Sequence, residues 1–249
     1  MRTGLMLYTL REECSRDFRG TLGDVAAMGY EGVELSDLHG HAPGLVRSWL
    51  DELGLVAVGR HAGLQALEHD LPALAEELAL LGADRIALSW IDPPESSADA
   101  RAVATRIDAI AGAAGGHGLR LGFHNHWFEL DPLDNGLTFL DLLRALPADR
   151  LWLELDLGWA WVAGADPAAL LLANAGSCPL VHVKDFRSRE GREHCPVGEG
   201  SVGYDRILPA AADAGVEWLL VEQDETYGEG LAAAEQSLAA VRRMLPVAA

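Results

Sequence analysis

Met28-Gly29-Tyr30-Glu31-Gly32-Val33-Glu34 reads as the end of a helix, a glycine, and the start of a strand. A helix C-cap favours glycine because that residue enters the left-handed region without a Cβ penalty. The same junction recurs at Leu81-Gly82-Ala83-Asp84-Arg85-Ile86 and at Ala214-Gly215-Val216-Glu217-Trp218. Working outward from these junctions, short apolar runs alternate with longer amphipathic or Ala/Leu-rich runs along the whole chain. The expected strands are Gly4–Tyr8, Gly32–Leu35, Val56–His61, Arg85–Trp90, Leu119–His124, Leu151–Asp156, Leu180–Lys184 and Trp218–Glu222. Helices are expected near 13–28, 42–53, 68–81, 97–116, 137–145, 167–174, 204–214 and 230–244. Eight βα units are the count of a parallel (β/α)8 TIM barrel, and 249 residues is an ordinary length for one. No linker or composition break interrupts the pattern. Residues 1–249 are therefore read as one domain.

Composition narrows the partners. The formal charge is −19, and the only basic-looking segment, Lys184–Arg192, is interleaved with Asp185 and Glu190. A nucleic-acid ligand needs a basic surface to neutralise phosphates, so neither nucleic acid nor an anionic membrane is expected. A neutral small molecule fits better, and a bound cation would offset local negative charge. No apolar run reaches the roughly 18 residues of a membrane span. The N-terminus goes straight into a strand-like run, so no signal peptide is expected. Cys14, Cys178 and Cys195 are odd in number and far apart, which argues against a disulfide framework and leaves the cytoplasm as the expected compartment.

The strand ends carry the chemistry. The fifth expected strand ends in His124-Asn125-His126 and the sixth in Glu154-Leu155-Asp156. The seventh carries His182-Val183-Lys184 and the eighth ends in Glu222-Gln223-Asp224. Residues two apart share a strand face, so His124 with His126, Glu154 with Asp156, and His182 with Lys184 can point into the barrel together, at the end where this fold places its active sites. Converging carboxylates resist ionisation without a counter-charge. A divalent cation meets that need, and mixed imidazole and carboxylate ligation suits Mn, Zn, Co or Fe better than Ca. Lys184 is expected to hold a substrate oxygen or stabilise an enediolate. Glu154 lies one layer below Asp156 and is grouped with His61 and Glu34 as a substrate contact. Trp90 and Trp127 are expected as apolar walls. Gly198-Glu199-Gly200-Ser201-Val202-Gly203 matches a dinucleotide fingerprint, but no strand–helix unit opens with it. It is read as a loop over the site.

Taken together, several stretches resemble the sugar phosphate isomerase/epimerase family of xylose-isomerase-like barrels. They are Leu7-Tyr8-Thr9-Leu10-Arg11, Gly32-Val33-Glu34-Leu35, Phe123-His124-Asn125-His126-Trp127-Phe128-Glu129, Glu154-Leu155-Asp156-Leu157-Gly158-Trp159-Ala160, His182-Val183-Lys184-Asp185, Val197-Gly198-Glu199-Gly200 and Val221-Glu222-Gln223-Asp224. The resemblance implies one divalent ion, Mn foremost with Zn, Co, Mg or Fe as alternatives. By motif, its ligands fall on His124, Asp156, His182 and Glu222. It also implies a carbohydrate substrate and a homo-oligomer. Ketose epimerases of this kind place a glutamate where His124 stands. A metal-bound imidazole cannot shuttle a proton as that carboxylate does, so the base is expected to be Glu222 or His126. Glu129 is a substitute for the missing carboxylate if its loop folds back.

The expected function is proton abstraction beside a sugar carbonyl through an enediolate, giving isomerisation or epimerisation. A dehydratase or lyase acting on a keto-inositol or 3-keto-glycoside would use the same site. Hydrolysis of abasic DNA, known from a related barrel family, is opposed by the charge. A non-catalytic sugar-binding barrel is the remaining alternative.

Overall fold

The computed structural model describes residues 1–245. Its barrel strands are β1 (Arg2–Met6), β2 (Gly32–Leu35), β3 (Val56–Ala62), β4 (Arg85–Leu88), β5 (Arg120–His124), β6 (Trp152–Asp156), β7 (Leu180–Val183) and β8 (Trp218–Val221), and Asp185–Phe186 pairs separately with His194–Cys195. Each pairs in parallel with its sequence neighbours, and β8 closes on β1. Helices return the chain outside the sheet, as parallel pairing requires. Gly29 and Gly82 end their helices at φ 98° and 76°, so the junctions that pointed to the fold are left-handed caps.

Several boundaries differ from expectation, each for a local reason. The first strand stops at Met6, and Leu7–Leu10 form a 3₁₀ turn. Leu7, Thr9 and Leu10 remain buried there, so apolarity runs on past the strand end. The expected helix at 13–28 is two helices, Arg11–Arg16 and Phe18–Met28, because Asp17 leaves the helical region and caps the second by accepting from Gly20 N. The expected helix at 68–81 is likewise Leu64–His69 and Leu71–Leu81, parted at Asp70 just before Pro72. A helix at Leu157–Val162 was not expected. The Asp156 side chain caps it, with Oδ1 accepting from Trp159 N at 2.7 Å.

The barrel interior is stacked. At the bottom, Val58, Ala87, Trp152, Leu180, Trp218 and Leu220 form an apolar cluster separate from the outer core. Glycines make room for its two large rings. A Cβ at Gly122 would lie 2.4 Å from the Trp152 ring, and one at Gly32 would lie 2.8 Å from Trp218. Above this plug the same strand faces turn polar. Successive inward positions on β6 are Trp152, Glu154 and Asp156, and β7 runs from Leu180 to His182 and then Lys184 just past its end. A register shift between Val33 and Glu34 marks the β2–β3 pairing, the kind of irregularity that re-aims a side chain. The apolar plug supports the polar layers from below and keeps water from reaching them through the bottom of the barrel.

Candidate functional site

The polar strand ends meet. His124, Asp156, His182 and Glu222 each offer a ligand atom, and those atoms all lie within 4.8 Å of one another. All four residues are buried. Each follows from the strand parity: β5 ends at His124, β6 at Asp156, β7 turns His182 inward, and Glu222 follows β8. Asp156 divides its carboxylate. Oδ1 caps the helix behind it, while buried Oδ2 faces the Lys184 ammonium.

Lys184 sits among these groups. Its Nζ is 3.0 Å from Asp156 Oδ2, 2.7 Å from Glu222 Oε2 and 2.9 Å from Asp224 Oδ1. Burial opposes a charge on Lys184, yet Asp156, Asp224 and Glu222 hold its pKa well above the ordinary value. Burial also opposes ionisation of Glu222, but Lys184 and His182 hold it well below the usual carboxylate range. Asp156 is raised by burial, with Lys184 working against the rise.

A deeper group lies beneath. His182 Nδ1 is 2.9 Å from Glu222 Oε2, and its Nε2 is 2.8 Å from Glu34 Oε2. His61 Nε2 is 2.6 Å from Glu154 Oε2. His124 points Nδ1 toward the same oxygen at 3.4 Å. Burial opposes protonation of His182, but Glu154 and Glu222 raise its pKa well above the ordinary value. Burial, reinforced by His182, pushes His124 far down. Burial and the neighbouring Glu154 push Glu34 up to about 7.

These groups open on a cavity of about 570 Å³ lined by His61, His124, Lys184 and Glu222, with Trp90 and Trp127 on its wall. His126 lines it too and packs edge-on against Trp90, with ring centroids 4.6 Å apart. Glu34 and Glu154 are fully buried below the cavity and outside its lining. Glu154 meets histidines there, with no lysine or arginine pairing to it. Glu129 does not reach the four-ligand group. It is buried in its own loop, accepting from His126 N at 2.8 Å.

The glycine-rich segment 198–203 is not a cover for the cavity. Gly198 N and Gly200 N donate to Asp185 Oδ2, and Val202 N donates to Oδ1. A cradle of backbone N–H groups does hold an anion there, but the anion is the protein's own aspartate. Arg60, Trp159 and Asp224 line the cavity and were missed by the sequence reading. Asp224 shares the two-residue parity of Glu222, a signal that could have found it. Arg60 is a charged residue inside an apolar strand, which was a second such signal. Trp159 sits on the unexpected helix, so no strand pattern pointed to it.

Comparison with known proteins agrees with the fold. The family model described as xylose isomerase-like TIM barrel matches residues 22–244. No curated protein matches by sequence. A sugar phosphate isomerase/epimerase from Parabacteroides distasonis superposes with a TM-score of 0.85 at 19% identity, covering 98% of this chain and 97% of that one. The probable 3-DHS dehydratase AsbF of Bacillus anthracis superposes at 0.77 with 18% identity, covering 96% and 98%. D-allulose 3-epimerase from Methylomonas sp. in complex with D-allulose superposes at 0.73 with 13% identity, covering 98% and 97%. Isomerases, epimerases and a dehydratase thus share this architecture.

Proposed function

Because the chain belongs to the xylose isomerase-like TIM barrel family, we propose that it is a metal-dependent sugar isomerase or epimerase acting beside the carbonyl of a ketose or keto-sugar. The observation that carries this reading is the convergence of His124, Asp156, His182 and Glu222 within 4.8 Å. The donor set fits a divalent cation: two imidazoles and two carboxylates, all buried. When bound, such an ion supplies Lewis-acid polarisation of the substrate carbonyl.

The chain's own residues supply the rest. Glu222 stays ionised beside Lys184 and is the base that takes the proton next to the carbonyl, with His126 across the cavity as the second candidate. Lys184 presents its ammonium to a substrate oxygen on which negative charge develops. His61 at the cavity floor binds a hydroxyl. Glu34 and Glu154 act from below by holding the histidines. Trp90 and Trp127 offer apolar faces to the sugar ring. Returning the proton to the neighbouring carbon isomerises the sugar, and returning it to the opposite face epimerises it. The AsbF-like architecture and a cavity with room for a substituted ring also support elimination, as a dehydratase or lyase acting on a keto-inositol or 3-keto-glycoside. That chemistry begins with the same proton abstraction.

The test is a deuterium wash-in screen by NMR with ketoses, keto-inositols and keto-glycosides in manganese-loaded protein. Exchange at a carbon beside a carbonyl is expected, and Glu222→Gln should slow it by at least about 100-fold. Asp156→Ala and His182→Ala should lose manganese by elemental analysis. Bound manganese without C–H exchange in any such substrate would favour a non-catalytic sugar-binding barrel.

A further inference from the structure

The deep group at the cavity floor is a second convergence of ligand-type side chains, distinct in its set from the four at the mouth. Around Glu154 Oε2 lie His61 Nε2 at 2.6 Å, His124 Nδ1 at 3.4 Å and His182 Nε2 at 3.6 Å. The four residues offer ligand atoms that are mutually within 4.8 Å, and all four are buried. A tetrahedral ion with bonds of about 2.0–2.1 Å sets its ligand atoms roughly 3.3–3.4 Å apart. Two of the three distances to Glu154 are already close to that value, and the nitrogens lie within 4.8 Å of one another. The third is a hydrogen bond that an ion would replace.

Two unpartnered buried atoms belong to this group. His124 Nδ1, directed at Glu154, has no hydrogen-bond partner, and the other Glu154 oxygen, Oε1, has none either. Such atoms are costly to bury unless something satisfies them. Glu154 and His182 are absent from the cavity lining while His61 and His124 belong to it, so an ion there would sit at the cavity floor. Four protein ligands would hold it, as in a non-catalytic position.

We propose that the barrel has a second cation position of three imidazoles and one carboxylate, His61, His124, His182 and Glu154, directly beneath the mouth and suited to a borderline ion such as Zn²⁺ or Co²⁺. The two positions share His124 and His182 through opposite ring nitrogens. His182 turns Nδ1 to Glu222 and Nε2 to Glu34 and Glu154. His124 turns Nε2 to Asp156, 4.0 Å away, and Nδ1 to Glu154. A neutral imidazole has one acceptor nitrogen, so an ion seated below takes two ligands from the mouth. The positions therefore compete, and a borderline ion in the lower one unloads the upper. The lower position rests on the barrel taking a cation and not on the sugar reaction.

The experiment adds one equivalent of Co²⁺ to the metal-free full chain and records its visible spectrum, since four-coordinate cobalt absorbs far more strongly than six-coordinate cobalt. Intense bands are expected in the wild type, retained in Asp156→Asn and lost in His61→Phe and Glu154→Gln. In parallel, one equivalent of Co²⁺ should release prebound Mn²⁺ from the wild type, read as free-ion EPR signal, and release several-fold less from Glu154→Gln. A weak six-coordinate spectrum in the wild type overturns the proposal. So do bands that survive both deep variants, or bands lost in an Asp156→Asn protein whose far-UV circular dichroism is unchanged. If His61→Phe fails to fold, the near-isosteric Glu154→Gln decides. A protein that exchanges no sugar C–H fails the enzymatic reading and leaves the cobalt result standing.

Discussion

Lys184 shows how much one buried charge can organise. Its ammonium lies within 3.0 Å of Asp156, Glu222 and Asp224, so it offsets part of their negative charge. Removing one partner from a buried ionic group typically costs about 3–5 kcal/mol, because the remaining charges stay desolvated. Lys184→Met should therefore lower the melting temperature of chelator-treated protein by several degrees. Manganese should restore much of that loss, and differential scanning calorimetry with and without metal checks both halves. His194 tests the same physics with a neutral group. Burial pushes its pKa down from 6.5 to about 4, and it packs at a tilt against Phe186 with centroids 4.5 Å apart. A histidine depressed in the folded state adds stability above its unfolded pKa and loses it as pH falls through the folded one. The window is pH 6.5 to 4, worth on the order of 3 kcal/mol at most. His194→Phe should flatten the pH dependence of unfolding across that window, and an unchanged slope would refute the assignment. Residue identities were readable here where strand parity applied, as with His182, Asp156 and Lys184. Asp224 and Arg60 were overlooked although parity and an odd charge marked them.

At the scale of elements, glycine-capped helices and short apolar strands made the alternation visible. The breaks within helices were not, because Asp17 and Asp70 interrupt runs whose apolar pattern continues on both sides. The Leu157–Val162 helix was hidden for a similar reason. Asp156 was read as a strand-end ligand, and one carboxylate serves as strand end, cap and site group together. The Gly122–Trp152 contact links strand composition to barrel closure. A Cβ at Gly122 would fall 2.4 Å from a ring that has no room to retreat. Overpacking of this kind costs about 1–3 kcal/mol. Gly122→Ala should therefore lower the melting temperature by several degrees, roughly 2–4 °C per kcal/mol for a chain of this size. A Trp152→Phe partner mutation should recover part of it, as a double-mutant cycle would measure.

For the whole molecule, charge and closure act together. A formal charge of −19 repels itself across a single compact barrel, and salt screens that repulsion. Thermal stability should rise between about 10 and 300 mM NaCl, a range over which the Debye length falls from about 30 Å to below 10 Å. Abasic duplex DNA should give no electrophoretic shift at physiological salt. A salt-sensitive shift would contradict the exclusion drawn from charge. Among the described residues no helix is long and apolar enough to cross a membrane, and all three cysteines are free and buried.

The chain's order of apolar runs, glycine caps and polar strand ends was enough to specify an eight-unit parallel barrel and to name several of the residues at its mouth, His124, Lys184 and Glu222 among them. These are local patterns, read at periods of two and 3.6 residues. Only folding decided which of those groups touch. His61, Glu34 and Glu154 come from three different strands, yet they join His124 and His182 in one buried cluster. Closure of the sheet brings β2 and β3 across from β6 and β7, and no periodicity along a strand records a distance measured across the barrel.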